Sequence, residues 1–190
     1  ADVGAKVRTV RFQQRDLAEF ERLADEARAA YRGRYRVQTF TRVPRELWPS
    51  LLTCMNRVGA DAPTGEIDWE PETLGPDRYA GNLDLDRSTG WIRLTSVAIE
   101  ESSGDVVAFT ELGLAPDITR AHQWGTLVMT GHRGHRLGLA VKVASLGALQ
   151  TDHPERVDIV TGNAHDNPWM VSINERLGFR PIELGLAFYR

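Results

Sequence analysis

A glycine-rich, basic turn joins an apolar strand pattern to an amphipathic helix pattern within residues 126–142, TLVMTGHRGHRLGLAVK. The first backbone N–H groups of a helix lack intrahelical partners, and the helix dipole is positive there, so such a junction suits phosphate. Gly134 and Gly138 allow the backbone to approach an anion closely. The turn also carries four basic side chains: His132, Arg133, His135 and Arg136. A basic strand-to-helix connection without a ligand explains these residues equally well, and the turn matches neither GxxxxGK[ST] nor GxGxxG.

Alternating and helical hydrophobic patterns predict strands and helices along the rest of the chain. The predicted strands span residues 6–12, 34–40, 91–100, 106–114, 123–130, 157–161 and 181–189. The predicted helices span residues 16–31, 44–57, 136–150 and 168–177, and a less regular region at 59–89 includes a further helix at 71–86. Strands followed by strand–helix–strand–helix–strand indicate an α/β or α+β fold, in which a mixed sheet is covered by helices.

Composition narrows the class of protein and its compartment. Cys54 is the only cysteine among the 190 residues, which excludes an internal disulfide and a cysteine-based zinc cluster. His132 and His135 lack a clear third ligand, so we predict no metal site. A net charge of −3 argues against a nucleic-acid partner, and no apolar run approaches the roughly 20 residues of a membrane span. Without an oxidised framework or a signal peptide, we expect a cytoplasmic protein.

The 126–142 stretch resembles the cofactor loop of the GNAT superfamily of acyl-CoA-dependent N-acyltransferases. In that family a strand ending near a valine is followed by [QR]-x-x-G-x-[GA] at the start of the main helix. Val128 matches the valine, and Arg136 stands where the family has its middle glycine. The resemblance implies a mostly antiparallel central sheet flanked by helices, with acetyl-CoA as cosubstrate. The residues it implies for pantetheine and pyrophosphate are Leu127, Val128, Arg133, Gly134, His135, Arg136, Leu137 and Gly138.

A second stretch, residues 161–181 (TGNAHDNPWMVSINERLGFRP), resembles the GNAT pattern of an asparagine at a strand end, a short helix and then LGF. Asn167 and Pro168 make a good helix start, because Asn caps a helix and Pro is tolerated in its first turn. In the family, asparagines of this region bond to the pantetheine arm, which implies that role for Asn163 and Asn167. The family commonly carries its general acid, a tyrosine, at the position that Asn174 occupies here, so the usual acid is missing.

The GNAT reaction needs a base, because an ammonium group cannot attack the thioester carbonyl. His122 is one candidate, at a strand start where related enzymes often carry a glutamate base, and imidazole titrates near neutral pH. Glu111 is the second, a carboxylate within the apolar strand VVAFTELGL that is either solvated or directed into a cleft with a raised pKa. A surface role for His122 stays open. The resemblance assigns the oxyanion donor to the backbone N–H of Leu127 or Val128.

The resemblance covers residues 90–190 well and is closest to the C-terminal half of actinobacterial tandem-GNAT proteins, relatives of mycothiol synthase. We therefore expect an N-terminal strand and linker helix at 1–33, like the tail of a preceding domain, and a GNAT domain at 34–190. The implied activity is transfer of an acetyl group to a primary amine by direct attack on the thioester. The alternative is a catalytically degenerate GNAT-fold domain that binds acyl-CoA or a partner protein. Expected partners are acetyl-CoA, an unknown amine, and either a preceding GNAT domain or a second copy in a homodimer.

Overall fold

The computed structural model describes residues 5–13, 17–61, 73–116, 118–164 and 167–187. Its strands are β1 (Ala5–Gln13), β2 (Tyr35–Phe40), β3 (Ile92–Glu100), β4 (Val106–Leu114), β5 (Arg120–Val128), β6 (Asp158–Ala164) and β7 (Arg180–Ala187). Its α-helices are α1 (Leu17–Tyr31), α2 (Trp48–Asp61), α3 (Pro76–Ser88), α4 (Leu137–Asp152) and α5 (Pro168–Arg176). Short 3-10 turns at Arg45–Leu47 and Thr130–His132 precede α2 and α4.

The described strands form one sheet in the order β2–β3–β4–β5–β6–β1–β7. Neighbouring strands are antiparallel except β5 and β6, which are parallel. The predicted mixed, mostly antiparallel sheet flanked by helices is therefore confirmed. β1 comes from the segment 1–33 and lies inside the sheet, where Val7 pairs with Ala164 of β6 and with Gly185 of β7. That first segment thus contributes a strand to the same sheet as residues 34–190.

The two faces of the sheet bury different helices, because successive strand residues point to opposite sides. On one face, Leu112 of β4 packs with Leu139 of α4 and Leu23 of α1. On the other face, Phe109 of the same strand packs with Leu51 of α2. Burying one such side chain contributes roughly 1.5–3 kcal/mol, so both layers hold the sheet. The sheet therefore offers two chemically separate surfaces along β4 and β5.

Several predicted boundaries were wrong, and sheet pairing explains two of them. β5 begins at Arg120 rather than residue 123, since the ladder to β4 extends back through Ala121. β6 runs to Ala164 rather than 161, since β1, from the far end of the sequence, pairs along its whole length. α2 continues to Asp61 rather than residue 57, and α3 starts at Pro76 rather than 71. The predicted last strand also reaches residues 188 and 189, which lie outside the described ranges.

Candidate functional site

β5 and β6 diverge part-way along their length. The parallel ladder joins residues 120–122 of β5 to residues 158–160 of β6, although β5 continues to Val128 and β6 to Ala164. We call the space between residues 123–128 and residues 161–164 the β5–β6 gap. Backbone N–H and C=O groups directed into this gap have no parallel ladder to satisfy them, so they can bind an extended polar ligand.

A β-bulge interrupts β5 beside the β5–β6 gap. Across the ladder between β4 and β5, two residues of β5, Trp124 and Gly125, lie opposite the single residue Glu111. The side-chain Nε2 of Gln123 donates to the backbone oxygen of Glu111 at 2.8 Å and to Oγ1 of Thr110 at 2.7 Å. These buried bonds hold the bulge, and a bulged strand bends and twists more strongly than a regular one. The gap is thus built into the hydrogen bonding of the sheet.

The turn between β5 and α4 holds two residues in the left-handed region of backbone space. Gly134 has φ +84° and Arg136, immediately before α4, has φ +55°. This region costs an L-residue with a Cβ about 1–2 kcal/mol and costs glycine essentially nothing. The conformation explains why the GNAT pattern has a glycine at the position of Arg136. This chain keeps the turn with arginine in place of glycine.

The arginines of this turn contact neighbouring elements. The guanidinium of Arg136 pairs with Glu26 of α1, which also accepts a hydrogen bond from Arg176 of α5 at 2.7 Å. Nε of Arg133 donates to the backbone oxygen of Val128 at 3.2 Å. The Glu26 pairs tie the start of α4 to α1 and α5. Backbone N–H groups of the first turn of α4 are the donors that this arrangement leaves for a ligand.

Both histidines of the turn pack on Tyr35 of β2. The Nδ1 of His132 lies 3.0 Å from the Tyr35 hydroxyl oxygen, and the His135 ring meets the Tyr35 ring edge-on with centroids 5.6 Å apart. Nε2 of His135 lies 3.3 Å from a guanidinium nitrogen of Arg34. In the described part of the chain, no group of three or more His, Cys, Asp or Glu side chains is placed to hold a metal ion.

α5 packs closely against the first turn of α4. A Cβ added at Gly138 would lie 3.2 Å from Cδ1 of Ile173 and 3.6 Å from Cγ2 of Val128, whereas one added at Gly134 would meet nothing within 4 Å. Gly138 and its neighbour Leu137 are buried. The two glycines therefore serve different needs: Gly138 permits close helix packing, and Gly134 permits the left-handed turn.

Asn163 and Asn167 have different surroundings. Asn163 is 9% exposed near the end of β6, and its Nδ2 has no hydrogen-bond partner among the described residues. It follows Ile159 and Thr161 in the alternating buried series that faces α4 and α5. Asn167 caps α5, because its side-chain oxygen accepts from the Met170 backbone N–H at 3.1 Å. Asn163 thus offers a buried donor beside the β5–β6 gap, while the Asn167 oxygen already has a structural role.

His122 lies on the opposite face of β5, half-buried beside two tryptophans. Its ring centroid is 6.2 Å from that of Trp91, which stacks on Trp124 at 5.8 Å. Gly113 lies beneath Trp124, and a Cβ there would overlap the indole ring. The parallel-ladder partner of His122 is Val160, the last pair before β5 and β6 diverge. His122 therefore sits at the level of the closed end of the gap.

A cleft of about 310 Å³ opens beside these tryptophans, between α3, the start of β3 and the residues that precede α2. We call it the Trp91 cleft. Its lining includes Arg42, Arg45, Trp48, Asp84, Trp91 and Arg93. Trp91 lines this cleft and also contacts His122, which is not itself one of the lining residues.

Glu111 is buried rather than solvated, with 6% of its surface exposed. Oγ1 of Thr95 donates to its carboxylate at 3.0 Å, and Arg93 donates at 3.2 Å while also pairing with Asp86 at 2.7 Å. Burial raises the pKa of Glu111, and the Arg93 charge opposes that rise. Arg93 was not predicted as a site residue. The alternation of β3 groups Arg93 with Thr95, but their pairing with Glu111 depends on the register between β3 and β4, which does not follow from the sequence.

A buried lysine–asparagine pair links α4 to α5 and was also missed. Nζ of Lys142 donates to the side-chain oxygen of Asn174 at 2.9 Å, and each residue is 1% exposed. Burial lowers the pKa of Lys142 to about 7. The sequence does contain an indication of a buried polar contact here, because Lys142 interrupts the apolar run of the predicted helix 136–150 on its buried side. Asn174 occupies the position where the GNAT pattern commonly has tyrosine.

Comparison with known proteins defines the fold. No protein-family model and no curated protein matches the sequence. A tandem GNAT protein from the clavulanic acid biosynthesis pathway is similar with a TM-score of 0.70 at 22% identity, over 97% of this chain and 53% of that protein. An acetyltransferase from Trypanosoma brucei is similar with a TM-score of 0.59 at 18% identity, over 78% of this chain and 94% of its own. The chain therefore has the fold of the GNAT acetyltransferases, as its two motifs predicted.

A third similar structure contains a bound cofactor analogue. AAC(6')-Iy, in complex with the bisubstrate analogue CoA-S-monomethyl-acetylneamine, has a TM-score of 0.56 at 13% identity, over 82% of this chain and 97% of its own. The present chain spans about half the length of the tandem GNAT protein and most of the length of the other two. Of the helices described here, none is long and apolar enough to cross a membrane.

Proposed function

We propose that this chain is an acetyl-CoA-dependent N-acetyltransferase that transfers an acetyl group to a primary amine by direct attack of the amine on the thioester. The observation that carries the proposal is the β5–β6 gap, which runs from the first turn of α4 to the level of His122. Acetyl-CoA placed along it has its pyrophosphate at the helix N-terminus and its thioester near His122. The fold shared with a CoA-analogue complex supports this placement.

The groups proposed to hold acetyl-CoA are mostly backbone. The N–H groups of Leu137 and Gly138, in the first turn of α4, face the pyrophosphate, where the helix dipole stabilises negative charge by about 0.3–1 kcal/mol. Gly134 gives the open, left-handed turn that the phosphates approach. The unpartnered Nδ2 of Asn163 donates to a carbonyl of the pantetheine arm. Arg133 and His135 supply nearby positive charge.

Val128 is the better of the two predicted oxyanion donors. Met129, the next residue, donates its backbone N–H to the oxygen of Val107, which precedes Ala108 on β4, at 2.9 Å. Because N–H groups alternate in direction along an antiparallel strand, Leu127 also donates toward β4, and Val128 donates toward the β5–β6 gap. A thioester carbonyl at that N–H gains a preorganised donor, a contribution of about 3–4 kcal/mol in other acyl transfers.

His122 is the proposed general base, and the amine enters from the Trp91 cleft. His122 is half-buried, and its ring faces the Trp91 side, so an amine in the cleft can give up a proton to it. Glu111 is instead proposed to hold Arg93 at the wall of the cleft, because its carboxylate already accepts from Arg93 and Thr95. Asp86 completes this arrangement from α3.

The second candidate function is a degenerate domain that binds acyl-CoA without transferring the acyl group. It is favoured by Asn174, because an amide at the position of the usual tyrosine is not an acid that transfers a proton to the leaving thiolate. Both candidates require CoA binding, so binding and turnover must be measured separately.

Calorimetric titration with acetyl-CoA tests the proposal. We expect a micromolar Kd, lost when Gly134 and Gly138 are both changed to Leu, because the first change strains the turn and the second fills the seam with Ile173. Gly147→Ala is the matched control on the same helix, where the added Cβ makes ordinary contact with Phe20 at 3.5 Å. No binding by the native chain at millimolar acetyl-CoA overturns both candidates. Binding without release of CoA across an amine screen favours the degenerate domain.

A further inference from the structure

The acidic side chains that line the Trp91 cleft are already paired with arginines. Asp86 of α3 pairs with Arg93 at 2.7 Å. Asp84 of the same helix pairs with Arg87 at 3.1 Å, and all four residues belong to the lining. Glu111 also pairs with Arg93, but it is buried and is not part of the lining. The described lining therefore offers no unpaired carboxylate that would attract a second positive charge on a ligand.

Two further arginines of the lining have no carboxylate partner among the described residues. Arg42 follows β2, Arg45 precedes α2, and both are exposed. The guanidinium carbon of Arg45 lies over the Trp48 ring, 5.1 Å from its centroid. This stacking holds the guanidinium at the cleft and leaves its N–H edge for another partner. The lining thus has a surplus of two positive charges, both on groups that can bind an anion.

The sheet separates these guanidinium groups from the proposed base. His122 of β5 pairs with Gly113 of β4, which pairs in turn with Arg93 of β3. Arg42 lies two residues beyond the end of β2, the strand that pairs with β3 on its other side. Adjacent strands lie about 4.8 Å apart, so three strand spacings place roughly 14 Å between the backbone at the end of β2 and at β5. An acceptor that reaches both ends therefore needs several bonds between its amine and the group that Arg42 contacts.

We propose that the acceptor is a small amine that also carries an anionic oxygen group, a carboxylate or a phosphate, which Arg42 and Arg45 bind while the amine reaches His122. The inference rests on the proposed acetyltransferase function. Guanidinium groups bind both kinds of anion through paired N–H donors. Trp91 lines the cleft and contacts His122 with ring centroids 6.2 Å apart, so a ligand along the cleft approaches the base past this ring. A volume of about 310 Å³ is at the lower end of the range of ligand sites, roughly 300–1,000 Å³, and so fits a small molecule.

Matched amines that differ in the anionic group test this inference. The panel contains 4-aminobutyrate, 6-aminohexanoate and glycylglycine, each beside its carboxamide, and O-phosphoethanolamine beside ethanolamine. Release of the CoA thiol at saturating acetyl-CoA measures kcat/KM, and calorimetry measures the Kd of each amine. We expect at least one anionic amine to exceed its neutral counterpart by about tenfold or more in kcat/KM. Its advantage should fall as ionic strength rises, because exposed charges are screened. A preference confined to O-phosphoethanolamine assigns the anion as a phosphate, and one confined to the amino acids assigns it as a carboxylate.

Variants of the two arginines test whether the cleft causes the preference. Arg42→Gln and Arg45→Gln should each reduce it by about tenfold, chiefly through KM, because each removes a charged hydrogen-bond donor. The double variant Arg42→Glu, Arg45→Glu should reverse it and favour 1,4-diaminobutane over 4-aminobutyrate. Arg36→Gln is the matched control, since it removes one positive charge from an exposed residue of β2 outside the lining. Circular dichroism shows whether each variant is folded.

The outcomes separate this inference from the proposed function. Acetylation of neutral amines or 1,4-diaminobutane without any preference for the anionic amines overturns the inference and leaves the transferase activity established. A preference that the double variant retains also overturns it, because another surface then supplies the charge. Absence of CoA release with every amine overturns the proposed function. In that case, binding of an anionic amine that depends on Arg42 and Arg45 supports the anion site alone, and absence of such binding overturns both.

Discussion

The two faces of the sheet carry candidate sites of different composition, one formed mainly by backbone groups and the other by side chains. On the α4 side, the β5–β6 gap and the first turn of α4 present backbone donors, and Arg136 contacts Glu26 on a neighbouring helix. On the α2 and α3 side, the Trp91 cleft is formed by side chains from separate elements, such as the pair of Arg93 and Glu111. A site made of backbone survives extensive sequence change, whereas a side-chain site changes with its ligand. The fold is recognisable at 22% identity over 97% of this chain, and we expect the proposed cofactor side to tolerate more sequence change than the proposed acceptor side.

We expect the largest effect on activity from substitution of His122, which lies between the two candidate sites. His122→Ala should lower kcat by about 10²–10⁴-fold, because a positioned base typically contributes that much. The Kd for acetyl-CoA should stay within twofold, since His122 is not among the groups proposed to hold acetyl-CoA. Release of the CoA thiol with an amine found by screening measures kcat, and calorimetry measures Kd. His153→Ala, just past the end of α4, is the control. A native kcat in His122→Ala would contradict the proposal that His122 is the base between the cleft and the gap.

The buried charge of the α4 side predicts an unusual pH dependence of stability. The pKa of Lys142 is lowered from 10.5 to about 7 on folding, so between these values the unfolded chain binds one proton more than the folded chain. The unfolding free energy must therefore rise with pH across this window, by on the order of 4 kcal/mol from this group. Lys142→Met should remove that rise. Urea unfolding of both proteins at pH 6.5 and about pH 10 measures this rise. Equal pH dependence of the two proteins would show that folding does not lower the pKa of Lys142.

Gly113→Ala tests whether the Trp91 cleft binds the amine. The added Cβ would overlap the ring of Trp124 and displace it from Trp91. We expect a loss of about 1–3 kcal/mol in the free energy of unfolding and a several-fold rise in KM for the amine. The Kd for acetyl-CoA should not change. Gly131→Ala, where an added Cβ meets nothing within 4 Å, serves as the control. A change in cofactor affinity without a change in amine KM would contradict the assignment of the cleft.

We expect the smallest effect, on stability, at Arg136, the residue before α4 that has a left-handed backbone conformation. Arg136→Gly and Arg136→Ala both remove the pair with Glu26, but only glycine relieves the strain at φ +55°. The glycine variant should therefore be more stable than the alanine variant by about 1 kcal/mol. Both should bind acetyl-CoA, because the proposed contacts are backbone. Thermal unfolding and calorimetry measure these values. An alanine variant as stable as the glycine variant would show that the turn is not strained.

The sequence predicts the elements and the glycine-rich turn before α4, because both depend on local patterns. The order of strands and helices, Gly134 in its turn and the Asn167 cap all follow from residues close together in the chain. Pairings between distant segments could not be predicted. The insertion of β1 beside Ala164, the bond from Arg93 to Glu111 and the bond from Lys142 to Asn174 each depend on tertiary packing. The sequence left Glu111 either solvated or directed into a cleft. The register of β3 with β4 shows that it is buried.

Hydrogen exchange at individual backbone amides, with and without saturating acetyl-CoA, tests whether the cofactor lies in the β5–β6 gap. We expect slower exchange at Val128 and at Leu137 and Gly138 in the first turn of α4, because these N–H groups gain acceptors from the ligand. We expect little change at Leu127, whose N–H is directed toward β4. Protection confined to α2 and α3, or no protection at Val128, would contradict the placement of the cofactor in the β5–β6 gap.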